Sequence, residues 1–331
     1  MIAECGRRWL PQHSFCVAEM LLLECIFFET STFQASSLGI FANVKLWTSL
    51  WSRSSYGRYV RYHTFCKGFT NSIVLSVFII AEVPNMLLES NFYPELVFRI
   101  CGSVAGLASL PNRFFQFFLS FGTCYIAFSP MKPIPKYIFY ISTVIPIMFG
   151  VTLFSVRISS AECGYRFDAI KFAWFYDPGV CAQTVQKTQS KLIQFQIITS
   201  YCFNFITFLK ICFDVRRKSF LEDSQLRSRL TKTKWRLAQC VAQDLFHIID
   251  VTFYVNESEG YGVLVNFIFN TFVWNMAHVL DGFIMLFMLQ RVRFNFQTTV
   301  SVVVSSYNNN NNNNNNYKKA PTPMLRNVTR I

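Results

Sequence analysis

The stretch YGVLVNFIFNTFVWNMAHVLDGFIMLFMLQRVR, residues 261–293, decides the fold class. It is a mostly apolar run interrupted by Asn270, Trp274, Asn275, His278 and Asp281, and closed by Arg291 and Arg293. About 20 apolar residues cross a bilayer as a helix, so the run is long enough. An Asp near its middle costs about 2.5–3.5 kcal/mol on insertion scales. That cost is tolerated when the polar face turns toward other helices or trapped water. The run therefore predicts one wall of a helix bundle whose inner face is available for use.

Composition points the same way. Apolar residues make up 52% of the chain and charged residues 15%, with 37 Phe, 14 Tyr and a mean hydropathy of +0.29. A soluble domain carries about 25% charged residues. The net charge of +13 could suggest nucleic acid, but the basic residues fall between apolar spans, which is the positive-inside pattern. No nucleic-acid partner is expected. The eleven Cys contain no CxxC pair, so zinc has no support. Cys124, Cys202, Cys212 and Cys240 lie within apolar spans and read as small hydrophobes. Residues 15–28 have the length of a signal core, but Glu19 and Glu24 interrupt it.

Apolar spans are read at 69–87, 99–129, 137–156, 191–213, 237–255 and 263–289, with a poorly marked first helix somewhere in 13–51. The expectation is an all-α seven-transmembrane bundle. It divides into 1–68 (amino terminus, first helix and a basic inner loop), 69–293 (helices two to seven) and 294–331. The last segment carries nine consecutive Asn, 308–316, and reads as a disordered tail. Lys45, Arg53, Arg58, Arg61 and Lys67 fall in the first loop, and Lys132 and Lys136 after the third span. Arg216, Arg217, Lys218, Arg227, Arg229, Lys232, Lys234 and Arg236 follow the fifth. The intervening loops are poor in Lys and Arg apart from 157–190. The amino terminus is therefore expected outside and the carboxyl terminus inside. The Asn256-Glu257-Ser258 sequon then lies outside, where it can be glycosylated, whereas Asn327-Val328-Thr329 lies inside. Cys163 and Cys181 lie in the second outer loop, with Cys101 at the outer end of the third helix. A bridge from Cys101 to one of the two would pin that loop, and free thiols are the alternative.

Three clusters carry the candidate chemistry. His278 and Asp281 share a helix face, either as packing hydrogen bonds, as a polar knot that rearranges on activation, or as pocket residues that contact a ligand. Asn270, Trp274 and His278 step by four, which makes Trp274 a pocket residue or ordinary packing. In RLAQCVAQDLFHIID, residues 236–250, the residues Gln239, Gln243, His247 and Asp250 draw a polar stripe that must avoid lipid. Helix association and a wet cavity explain that stripe equally well. The basic segment 214–236 is either a solvated surface or a docking site for a cytoplasmic partner, aided by anionic headgroups. Pro111-Asn112-Arg113 lies inside the third span, where Arg113 needs either a partner or the surface. No GxxxxGK[ST], GxSxG, HExxH or GxGxxG motif occurs, so neither enzyme activity nor a cofactor is expected.

The run FNTFVWNMAHVLDGFIMLF, 269–287, resembles the seventh helix of class X nematode serpentine receptors through Trp274, His278, Asp281 and Gly282. The sixth helix resembles theirs through Gln239, Gln243 and Asp250, the FAWFYDPGVC segment through Trp174 and Cys181, and GTCYIAFSPMKPIPKYIF through Pro130. The resemblance covers roughly 115–293. It implies a chemosensory G-protein-coupled receptor in the plasma membrane of sensory neurons, binding a small molecule within the bundle and signalling to a heterotrimeric G protein. Where such receptors close the third helix with an Asn-Arg pair, this chain has Gly122-Thr123-Cys124. The alternatives are a small transporter or channel, whose polar stripe would line a permeation path, and a diverged receptor that no longer couples.

Overall fold

The computed structural model describes residues 15–51, 57–88, 93–129, 132–168, 173–216, 224–255 and 263–290. Seven long helices carry these residues. They are α1 (Phe15–Trp51), α2 (58–88), α3 (Glu95–Phe128), α4 (Lys136–Ser159), α5 (Val180–Arg216), α6 (Ser224–Val255) and α7 (263–290). An antiparallel hairpin, β1 (Tyr165–Asp168) and β2 (Ala173–Tyr176), lies between α4 and α5. The bundle belongs to one compact unit, Met1–Leu289, and Gln290–Ile331 is counted apart from it.

The molecule is apolar outside and polar within. Phe27, Phe41, Ile80, Tyr140, Phe195 and Phe208 are among many large apolar side chains exposed on helix flanks. Buried instead are Lys67, Asn71, Glu82, Asn112, Arg157 and Gln243. A water-soluble fold reverses this distribution, so the exposed apolar belt is the face that lipid covers. Four helices are long and apolar enough to cross a membrane on composition alone: Arg58–Met86, Lys136–Ser159, Val180–Arg216 and Leu264–Gln290. The others are diluted by polar residues that face inward. On α3, Ser109, Asn112, Gln116, Ser120 and Thr123 recur at spacings of three and four, and all are buried. α3 is the central post, packing against α2, α4, α5, α6 and β1.

Several expected boundaries move. α2 begins at Arg58 rather than 69, so Arg58, Arg61 and Lys67 stand on a helix and Lys67 is fully buried in the bundle. α5 begins at Val180 rather than 191. The loop expected over 157–190 contracts to the hairpin and its flanks. α6 begins at Ser224, so Arg227, Arg229, Lys232, Lys234 and Arg236 lie along a helix rather than in a loop. The reason is common to all three. Hydropathy detects the part of a helix that touches lipid, whereas a helix of 37 residues is about 55 Å long at 1.5 Å per residue and outruns a core of about 30 Å. Arg217, Lys218, Asn256 and the Asn run lie outside the described residues.

Pro111 marks the place where α4 closes on α3 at Gly150. Proline cannot donate to the carbonyl of Leu107, and the helix continues because membrane helices re-satisfy such groups through neighbours. π-turns interrupt α2 at Phe78–Glu82 and α7 at Phe267–Phe272. Single π-turns within α-helices are frequent at functional sites. Both lie beside the aromatic cluster under the hairpin, where Phe78 packs edge-on against Trp274 and Phe28 stacks on Phe267.

Candidate functional site: a cleft beneath the hairpin and the polar core below it

The hairpin is held in three ways. Cys163 and Cys181 form a disulfide across its base. Trp174 of β2 donates through Nε1 to Glu82 on the π-turn of α2. The backbone of β1 rests directly on α3 at Gly102, where any Cβ would collide with the carbonyl of Tyr165. This last contact explains why Cys101 is not the bridging thiol. The face of α3 that meets the loop is the glycine face, and Cys101, one residue round the helix, is free and half-buried. The expected bridge from Cys101 is replaced by one internal to the hairpin base.

Beneath the hairpin lies a narrow cleft whose surroundings, open solvent at the mouth included, enclose about 560 Å³. Tyr165, Trp174 and Trp274 form its aromatic wall, with Trp174 and Trp274 edge-to-face at 6.2 Å. Its polar groups include Arg113, Asp250, Asn270 and Arg157, with Ser109, Tyr176 and Gln189 beside them. Arg113 Nη2 donates to Asp250 Oδ2 at 2.5 Å, which supplies the partner that an arginine in mid-helix requires. Arg157, at the carboxyl end of α4, is 1% exposed and makes no ion pair among the described residues. It donates to Gly102 O (3.3 Å), Tyr176 Oη (2.6 Å) and Gln189 Oε1 (3.0 Å), all neutral. Its guanidinium also lies 4.7 Å over the Tyr165 ring and 5.2 Å over Tyr176.

The floor of the cleft leads into a buried polar network. Trp274 Nε1 donates to His278 Nε2 at 3.1 Å. Because indole can only donate, this bond fixes the His278 proton on Nδ1, which donates to Asn71 Oδ1 at 2.7 Å. Asn112 Nδ2 reaches the same oxygen at 2.6 Å. Asn71 Nδ2 in turn donates to Asp281 Oδ2 at 2.8 Å. The other Asp281 oxygen accepts from Lys67 Nζ at 2.6 Å and from Gln243 Nε2 at 2.6 Å. Lys67 also donates to Gln116 Oε1 at 2.8 Å. Gln116 Nε2 passes the chain to Asp244 Oδ1 at 3.0 Å. Ser200 and Asn204 of α5 donate to the second Asp244 oxygen at 2.6 and 2.7 Å. One connected network thus joins α2, α3, α5, α6 and α7.

Gly282, next to Asp281, has a spatial reason. A Cβ there would stand 2.8 Å from Asn43 Nδ2 on α1. Asn275 ties the same two helices through Ser36 Oγ at 3.0 Å.

The sequence-predicted residues divide clearly. Trp274 and Asn270 line the cleft, and His278 and Asp281 lie in the network below Trp274. The α6 stripe is not a unit. Asp250 belongs to the cleft, Gln243 to the network, and Gln239 reaches Gln243 at 3.3 Å. His247 is buried with neither ring nitrogen hydrogen-bonded, beside Arg113 and Gln196 in a second, smaller space. Of the basic candidates, Arg216 and Lys234 are exposed on helices. Lys67, Asn71, Gln116, Asp244, Glu82 and Arg157 were not singled out as site residues from the sequence. For Asn112 and Gln116 a signal exists, the three-and-four spacing of polar residues along α3. For Lys67 none does, since it sits at the margin of an apolar span and reads as loop. α3 does carry an Asn-Arg pair, Asn112-Arg113, but in mid-helix, with Arg113 committed to Asp250.

The chain matches solved structures of the same architecture. Squid rhodopsin superposes with a TM-score of 0.69 over 90% of this chain and 89% of that one, at 10% sequence identity, which is a likeness of fold. No curated protein matches the sequence. The family model described as serpentine type 7TM GPCR chemoreceptor Srx matches residues 33–288. With seven helices, a hairpin-covered cleft and a match over most of its length, this multi-pass membrane protein belongs to the Srx family of serpentine chemoreceptors.

Proposed function

We propose that the protein binds a small molecule in the cleft beneath the hairpin and signals the occupancy to a heterotrimeric G protein at the opposite end of the bundle. The observation that carries this reading is the hydrogen-bonded route from Trp274, on the cleft wall, through His278, Asn71 and Asp281 to Lys67, Gln116 and Asp244. A ligand against Trp274 acts on the first member of a network whose last member is held by α5 and α6. Those two helices carry the basic residues Arg216, Arg227, Arg229, Lys232, Lys234 and Arg236 at their facing ends. A ligand moves such an equilibrium only by its difference in affinity for the two arrangements.

In this reading the amino terminus and hairpin face the outside, the basic ends of α5 and α6 face the cytoplasm, and the protein resides in the plasma membrane of sensory neurons. Asn256 then carries glycan and Asn327 does not. The decisive experiment reconstitutes the full chain with purified G-protein heterotrimers in lipid and measures guanine-nucleotide exchange against a small-molecule panel. Saturable, ligand-dependent exchange supports the reading. Ligand-dependent flux in sealed vesicles without any G protein would replace it with a transporter.

A further inference from the structure

The cleft contains two guanidinium groups and one carboxylate, and the carboxylate is taken. Asp250 is engaged by Arg113 at 2.5 Å, which leaves Arg157 as a buried cation with no ion-pair partner among the described residues. Its three acceptors are a backbone carbonyl, a phenol and an amide, and its Nε has no partner among the described residues. Arg113 Nη1, on the same cleft, is likewise without a partner. Two positive residues, each with one unpartnered N–H among the described residues, therefore line one space walled by Tyr165, Trp174 and Trp274.

A helix-clasping role does not require this arrangement. Two of the three acceptors could be met by a neutral amide donor, without withdrawing a full charge from water. The carboxyl end of α4 and the two tyrosine faces ease the burial of Arg157, but neither supplies a counter-charge. Glu82 does not line the cleft. It accepts the Nε1–H of Trp174.

We propose that the cleft takes a small organic anion, an aromatic or apolar body carrying one carboxylate or an equivalent negative group, and that Arg157 receives the charge. The inference rests on the cleft being the ligand site and names the class of its occupant. A planar carboxylate suits a guanidinium because the two pair through parallel hydrogen bonds. The body then packs against Trp174 and Trp274, in contact with the first link of the network. A cationic ligand is the opposing case, and it would have to displace Arg113 from Asp250.

The test uses the full chain in lipid nanodiscs. Phenylacetate, indole-3-acetate and octanoate are titrated beside their primary amides and the corresponding amines at constant ionic strength, reading Tm shift and Kd. At least one acid should raise Tm and bind about tenfold or more tightly than its amide. Arg157→Gln should weaken that acid by about 30-fold or more, as loss of a buried charge partner does, and Arg157→Lys should retain part of the affinity. The acid-to-amide ratio of the unmodified chain stands even where a variant fails to fold. Amides or amines binding as well as the acids, no acid of the series raising Tm, or acid affinity unchanged in Arg157→Gln would each overturn the assignment. Nucleotide exchange measured on the same samples separates the two readings. Acids that bind without altering exchange leave the anion site standing and remove the signalling role, whereas neutral compounds that drive exchange do the reverse.

Discussion

Lys67 and Asp281 meet at 2.6 Å with side chains 0% and 2% exposed, and each is hydrogen-bonded to further polar groups. Buried pairs of this kind contribute little net stability against a well-packed apolar pair, yet removing one partner costs about 3–5 kcal/mol. Lys67→Met is therefore expected to lower the Tm of the purified chain sharply. Pairing it with Asp281→Leu should recover part of the loss, and a double-mutant cycle on Tm measures that coupling. Additive losses would mean that the two side chains do not interact. Asp281→Asn keeps the shape and drops the charge. At matched surface expression it should shift the dose response of nucleotide exchange, and an unchanged curve assigns Asp281 to packing alone. Only half of this pair was visible in the sequence. Asp281 stands out because nothing ionisable belongs in mid-span, whereas Lys67 lies where an apolar stretch begins and looks like loop.

The hairpin and α3 form the element that roofs the cleft. Closing a loop with a sequence separation of 18 stabilises by about 3 kcal/mol in the chain-entropy picture. Cys163→Ser should therefore release Cys181 as a free thiol in peptide mapping and lower Tm, while Cys101→Ser leaves the disulfide map unchanged. A mapped bridge to Cys101 would sink this account. Gly102→Val should displace the hairpin, because the added side chain would overlap the Tyr165 carbonyl, and binding in the cleft should fail with it. Expected folding of the mutant is checked by its size-exclusion profile. That a loop with two cysteines covers the bundle could be read from the sequence. The pairing could not, because it depends on which face of α3 the loop backbone approaches.

Across the whole molecule, the distribution of surfaces makes the environment part of the fold. Exposed Phe, Ile and Leu ring the helices, while Asp, Lys, Arg and His gather inside. Removal of detergent or lipid from the purified chain should therefore precipitate it, and a monodisperse particle in plain buffer would contradict the membrane assignment. Tags on the two termini test orientation. With seven spanning helices only the amino-terminal tag is expected to be reachable on intact cells, and Asn256→Gln should abolish a glycan-dependent mobility shift.

By itself the sequence determined the bundle, because the energetic demand of lipid on exposed side chains is local. Any helix that touches hydrocarbon must show an apolar run, and any polar group within that run must turn inward. It also determined which residues of α7 would be special, since Asp281 and His278 are conspicuous in such a run. Tertiary structure alone decided who meets whom. The pairing of Lys67 with Asp281 and of Arg113 with Asp250 brings together residues 214 and 137 positions apart, and the neutral acceptors around Arg157 come from α3, β2 and α5. A charge inside a membrane protein announces itself in one dimension, but its partner is fixed only by packing in three.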